Sequence, residues 1–150
     1  MLVVPTGIDP TPSICRASGV LLFYGNSVLL CKRCVTFHGL PVTFPGYWSP
    51  FTGALEEGEN PIVAAIRELE EESGLQLKMH DLRYLTQLED ESRVLTLYAH
   101  ELRELFHPRL DAEHTEYGYF KLESLHMSPS PLCPLIRKVV QEYDEGRRRA

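Results

Sequence analysis

Hydrophobic positions along this chain fall into short runs broken by turn-forming residues, and each run carries its own period. Cys15 to Tyr24 and Ser27 to Arg33 are rich in Val, Leu and aromatic residues. Gly25-Asn26 between them supplies the positive φ angles of a tight turn, so the two runs predict a β-hairpin. Residues Cys34 to Gly46 hold Gly39, Pro41, Pro45 and Gly46 among scattered aromatics, which predicts an irregular loop of the kind that reaches over a ligand. A short strand around Tyr47 to Phe51 then leads into Thr52-Gly53. The clearest helix follows. Asn60 is a good N-cap and Pro61 suits the first helical position, where its missing N–H costs nothing. Ile62, Ala65, Ile66 and Leu69 recur at helical spacing and Gly74 stops the run, so a helix is expected over Pro61 to Ser73. Leu82 to Leu88 and Arg93 to His100 alternate like half-buried strands across the acidic turn Glu89 to Ser92, and Thr115 to Lys121 reads as another strand. Ser130-Pro131 opens a last amphipathic helix, with Leu132, Leu135, Ile136, Val139 and Val140 on its apolar side and its end near Gly146. The tail Arg147-Arg148-Arg149 reads as a solvated end.

With 150 residues and 43% hydrophobic content, the chain fits one compact domain spanning 1–150. Strands and helices mix without βαβ regularity or internal repeat, which predicts a mixed α/β fold. A net charge of −6 makes the bulk field repel phosphate polyanions, so nucleic-acid binding held by charge alone is not expected. A phosphate ligand would have to be reached through bound cations or local basic groups. No apolar run is long enough to cross a bilayer, and Met1 to Pro5 lacks the basic start and apolar stretch of a secretion signal, so a cytoplasmic protein is expected. Four cysteines are too sparse for a disulfide scaffold. Cys31 and Cys34 do form a CxxC, which could be half of a zinc site or a redox pair. No second such pair supplies further ligands, and Cys31 sits in an apolar alternating run, so a buried structural thiol is the expectation.

The anomaly is the end of the first helix. Glu68, Glu70, Glu71 and Glu72 crowd the last turns, where the macrodipole already places negative charge and Lys or Arg would be preferred. Glu68 meets Glu71 at i,i+3 and Glu72 at i,i+4, and each like-charge contact costs roughly 0.2–0.5 kcal/mol on an exposed helix. Arg67 can reach Glu71 at i,i+4 and offset part of this. One cation among four anions leaves a negative excess, which is either a solvated acidic face or a site completed by a hard divalent cation such as Mg²⁺ or Mn²⁺.

The spacing decides between them. From Gly53 the chain reads Gly53-Ala54-Leu55-Glu56-Glu57-Gly58-Glu59, then seven residues, then Arg67-Glu68-Leu69-Glu70-Glu71-Glu72-Ser73-Gly74-Leu75. This resembles the Nudix box of the MutT-like hydrolases, Gx5Ex7REUxEExGU with U aliphatic, at every specified position. The resemblance implies an α/β/α sandwich with a mixed β-sheet. It also implies metal-dependent hydrolysis of a diphosphate linkage in a nucleoside diphosphate joined to another moiety, by water attack on phosphorus. A non-catalytic Nudix-like nucleotide sensor is the alternative.

Carried onto this chain, the resemblance makes Glu68, Glu71 and Glu72 metal-site carboxylates, with the Gly53 carbonyl a further ligand and Arg67 an orienting partner. The cofactor implied is Mg²⁺ or Mn²⁺. Family members place the general base in the box, where Glu68 and Glu72 are the candidates, or on a later acidic loop, where Glu113 is the candidate. Arg33 and Tyr47 are the substrate-binding candidates, and Phe37, Phe44, Tyr98 and Tyr117 are further aromatics near the expected cleft. His114 and the other histidines read as hydrogen-bonded groups, since Mg²⁺ favours oxygen. The expected partners are a nucleotide-derived small molecule and, at most, a second copy of the chain. One departure is Thr52, which stands where the family commonly has the first glycine of a Gly-Gly pair.

Overall fold

The computed structural model describes residues 14–33, 36–37, 40–41, 46–89, 91, 93–111, 114–125 and 134–149. Cys34, Phe44, Glu113 and the expected helix start at Ser130-Pro131 lie outside them. The elements in chain order are β1 (Cys15–Tyr24), β2 (Ser27–Arg33), the two-residue strands β3 (Thr36–Phe37) and β4 (Leu40–Pro41), β5 (Trp48–Ser49), β6 (Phe51–Ala54), α1 (Pro61–Ser73), β7 (Arg83–Glu89), β8 (Arg93–Glu101), β9 (His114–Lys121) and α2 (Pro134–Arg149). The helix expected from Asn60, Pro61 and Gly74 has the bounds the caps predict. Asn60 Oδ1 accepts from the N–H of Ile62 at 3.0 Å, and Gly74 takes φ 84°, which L side chains resist.

β1 and β2 form the predicted hairpin, with Gly25 at φ 58°, but they pair only near the turn, from Leu22↔Leu29 to Tyr24↔Ser27. They then splay, and β5 and β6 fill the fork: β6 pairs antiparallel with β1 from Ala17↔Ala54 to Val20↔Phe51, and β5 pairs with β2 at Cys31↔Ser49. On its other edge β1 runs parallel to β8 for nine residue pairs, while β9 covers the outer edge of β2. The single strand expected over Tyr47 to Phe51 is instead two, β5 on β2 and β6 on β1, broken at Pro50, and β6 runs on to Ala54 because the backbone of Thr52 and Gly53 finds partners in Gly19 and Ser18.

The sheet is buried on both faces. Leu21, Phe23, Val28, Leu30, Leu97 and Ala99 pack against Ile136, Val139, Val140 and Tyr143 of α2. Val20, Leu22, Leu29, Cys31, Phe51 and Tyr98 face Ala65 and Leu69 of α1. This is the expected α/β/α sandwich. The alternation of β8 predicts a half-buried strand, yet Leu97, Tyr98 and Ala99 are all buried, since a central strand between two helical layers has no solvent face. Two further expectations are corrected at the C-terminus. α2 continues through Gly146 to Arg149, and Arg147 is a strap: its guanidinium donates to the Gly25 carbonyl at 3.1 Å, Asn26 Oδ1 at 2.9 Å and Glu101 Oε1 at 3.2 Å, and lies over the Tyr143 ring. No helix among the described residues is long and apolar enough to cross a membrane.

Leu69, fully buried between α1 and the sheet, and Val63, exposed on the same helix, test this layering. Leu69→Ala should lower the unfolding free energy in urea by about 2–5 kcal/mol. Val63→Ala should change it by less than ~0.5 kcal/mol. Equal effects would contradict the assigned helix face.

Candidate metal and phosphate site

α1 lies across β1 and β6, and this crossing brings Gly53 against the helix. A Cβ placed on Gly53 would fall onto the carboxyl group of Glu68, so only glycine allows strand and carboxylate to approach this closely. Thr52 is accommodated by a second glycine: its side chain packs on Gly19 of β1, where any Cβ would collide with it.

Arg67 meets Glu71 at i,i+4 as expected, and it has other partners besides. Arg67 grips Glu59 with a two-pronged fork, Nε to Oε2 and Nη2 to Oε1, both at 2.9 Å. Its Nη2 also donates to the Ala54 carbonyl at 3.1 Å, while Nη1 donates to Glu68 Oε1 at 3.0 Å and Glu71 Oε1 at 3.1 Å. One guanidinium thus ties the end of β6, the following loop and two box carboxylates. Glu59 closes the loop from its own side, accepting the N–H of Glu56 at 2.9 Å as its own N–H donates to the Glu56 carbonyl. The guanidinium and then the Glu56 N–H hold the Glu59 carboxyl down at about 2. Glu59 in turn pushes Arg67 further up its range, with Glu68 adding to the effect.

The three box carboxylates occupy different environments. Glu71 is 57% exposed and Glu68 16%. Glu72, at 1%, is inside the protein. α1 has no basic residue in its last turn to offset it. Among the described residues no three His, Cys, Asp or Glu side chains already converge tightly enough to enclose an ion, and Arg67 Nη1 stands between Glu68 and Glu71. The donors are nonetheless all oxygen and the glycine cradle holds Glu68 against the strand, which suits a hard divalent cation.

The inner end of the site is marked by Cys31. Its thiol is fully buried and donates to the Ser49 carbonyl at 3.3 Å, as expected for a structural cysteine. Burial first and Glu72 second push the thiol up, with Arg33 opposing this and Asp111 adding to it. Arg33 and Tyr47 are brought together through the backbone, Arg33 N–H to the Tyr47 carbonyl at 3.0 Å. Tyr98 is buried in the α1-facing core and Tyr117 packs on its edge, its hydroxyl 2.9 Å from His107 Nδ1.

The pairing or placement of four residues is not visible in the sequence. Glu59 is visible there only as a box position, since its pairing with Arg67 crosses a loop. Asp111 and His114 pair at i,i+3, and the half-buried Asp111 carboxylate accepts from the buried His114 Nδ1–H at 2.8 Å. His114 is thus hydrogen-bonded, as expected of the histidines. Arg109 donates its backbone N–H to the Ser73 carbonyl at 2.8 Å and lines a cleft of about 510 Å³ with Arg67, Glu70, Glu71, Gly74 and Gln76. Nothing in the local pattern of residues 102–111 marks it.

A family model described as NUDIX domain matches residues 14–143. Solved structures share the architecture. A C. elegans Ap4A hydrolase binary complex superposes with TM-score 0.70 and 17% identity, covering 91% of this chain and 100% of that one. A MutT protein from Methanosarcina mazei Go1 gives 0.71 and 18%, covering 93% and 99%. The NUDIX domain of Shewanella oneidensis NrtR complexed with ADP ribose gives 0.68 and 16%, covering 91% and 94%. A curated Myxococcus xanthus octanoyltransferase is 56% identical over 39 residues, which are 26% of this chain and 11% of that protein.

The Glu59–Arg67 fork has a pH signature. Glu59 moves from an ordinary value of 4.5 to about 2 on folding, so its contribution is fully present above pH 4.5 and fades as pH falls toward 2. Melting wild type and Glu59→Gln in a chelating buffer should therefore show the wild-type advantage shrinking across that window. An advantage constant from pH 6 to 2 would rule out the charged fork.

Proposed function

The chain belongs to the NUDIX family, and we propose that it is a pyrophosphohydrolase that hydrolyses the diphosphate linkage of a nucleoside diphosphate joined to another moiety. The moiety is a sugar, a second nucleotide or a further phosphate. Water attacks phosphorus, the bridging P–O bond breaks toward the leaving phosphate, and the water's proton passes to a carboxylate. Glu68, Glu71, Glu72 and the Gly53 carbonyl would hold Mg²⁺ or Mn²⁺, which when bound withdraws charge from the phosphate oxygens and makes water more acidic. Glu68 or Glu72 in the box, or Glu113 outside the described residues, accepts the proton. Arg67 orients Glu68 and Glu71, and Arg33 with Tyr47 forms the substrate edge. A cytoplasmic setting suits the buried Cys31 thiol.

The observation that carries this reading is Glu72. A carboxylate 1% exposed at the negative end of a helix is costly to fold around, and a core without function would replace it. A binding module without turnover would be relieved of the same cost by losing it, which weighs against the sensor alternative.

Glu72→Gln should lower kcat by about 10²–10⁴-fold, the range for loss of acid–base catalysis. Its urea midpoint in chelator should equal or exceed that of wild type. Retained turnover in a folded Glu72→Gln protein would remove Glu72 from the site. Separately, free Mg²⁺ at about ten times its Kd should stabilise wild type by ~1.4 kcal/mol. For a chain of this size that is roughly 3–6 °C in Tm. The shift should be absent in Glu72→Gln, and an equal shift in both proteins would place the ion elsewhere.

A further inference from the structure

The cleft beside the box helix holds two guanidinium groups with different commitments. Every donor of Arg67 is already used, on Glu59, Ala54, Glu68 and Glu71. The acids lining the cleft are also engaged, since Glu70 accepts the Gln76 side-chain amide at 2.8 Å and Glu71 accepts Arg67. Arg109 is different: among the described residues its guanidinium has no hydrogen-bond or ion-pair partner.

Its place is nevertheless built. The Arg109 N–H is anchored to the last carbonyl of α1, and the preceding chain is pinned to β9 by the Phe106 N–H on the Tyr119 hydroxyl at 3.1 Å. The Arg109 side chain lies over Gly74 at van der Waals distance, its Nη2 3.5 Å from where a Cβ would stand. Arg109 and the carboxylate cluster meet at Glu71, which belongs to both. A diphosphate held at the carboxylates would have this cleft beside it at Glu71. The cleft, at about 510 Å³, has the volume of a small-molecule site.

We propose that Arg109 recognises a terminal phosphate group in this cleft and so favours nucleotides ending in a free phosphate over nucleotide sugars. The inference rests on the hydrolase reading above and narrows its substrate class. A guanidinium presents a planar pair of N–H donors that matches two phosphate oxygens and gains from their charge. A sugar offers neutral hydroxyls, which the same fork binds with less gain.

The test is calorimetry in Mg²⁺ with two adenosine ligands, a methylene-bridged adenosine triphosphate analogue and ADP-ribose, on wild type, Arg109→Ala and Arg109→Lys. Arg109→Ala keeps the backbone bond to Ser73 and should melt like wild type. It should weaken the triphosphate analogue about 10- to 100-fold, the loss expected for a charge-assisted hydrogen bond, and leave ADP-ribose unchanged. Arg109→Lys should recover part of the loss. In turnover of adenosine triphosphate the defect should appear in KM and leave kcat within about twofold. Equal weakening of both ligands, or of neither, would overturn the inference alone. Failure of wild type to bind either ligand would overturn it together with the hydrolase reading.

Discussion

Like-charge crowding at the C-terminal end of α1 is the constraint around which the rest of the structure is arranged. A helix terminus already negative carries four glutamates, and no basic residue of the last turn answers them. The fold answers with one guanidinium placed earlier on the helix and aimed at several partners at once. Buried or half-buried ion pairs are tolerable when geometry and hydrogen bonding are complete, and Arg67 meets that condition with every donor satisfied. Removing it would leave Glu59, Glu68 and Glu71 facing one another, so it holds the loop and the helix in one piece.

The sheet makes this placement possible. A hairpin paired along its whole length would leave no room for β6 between its arms. Because β1 and β2 part after Leu22↔Leu29, β6 enters the fork, and its C-terminal end delivers Gly53 and the Ala54 carbonyl under the helix. Burial on both faces then removes the freedom to slip: a one-residue shift of β1 would exchange the side chains packed on α1 for those packed on α2. Register in the core therefore sets the distance between strand backbone and Glu68, and Gly19 under Thr52 shows how little slack that distance contains.

What is legible in the chain is local. Asn60, Pro61 and Gly74 mark the ends of α1 because capping acts within a few residues, and Gly25-Asn26 marks the hairpin turn for the same reason. The box spacing joins Gly53 and the glutamates in one unit because a single loop and helix connect them. What is not legible depends on distant chain. The parallel pairing of β1 with β8, the extension of β6 to Ala54 and the complete burial of Leu97, Tyr98 and Ala99 are set by neighbours far away in sequence. Arg147 reads as solvated because its acceptors, Gly25, Asn26 and Glu101, belong to other elements. Helical spacing likewise offers Glu71 as the partner of Arg67, and the stronger fork to Glu59 crosses a loop that periodicity cannot see.

The division of Arg67 between its partners governs how the site can change state. Nε and Nη2 are committed to Glu59 and to the Ala54 carbonyl, which belong to the scaffold, whereas Nη1 alone serves Glu68 and Glu71. A cation arriving at those carboxylates would compete with Nη1, and the guanidinium would keep its fork to Glu59. Without Glu59, the same competition would strand a half-buried charge and oppose the incoming ion. The box glutamate farthest from the helix end thus fixes Arg67 where it can neutralise the carboxylates, with the two nitrogens of the fork held apart from the one that meets them.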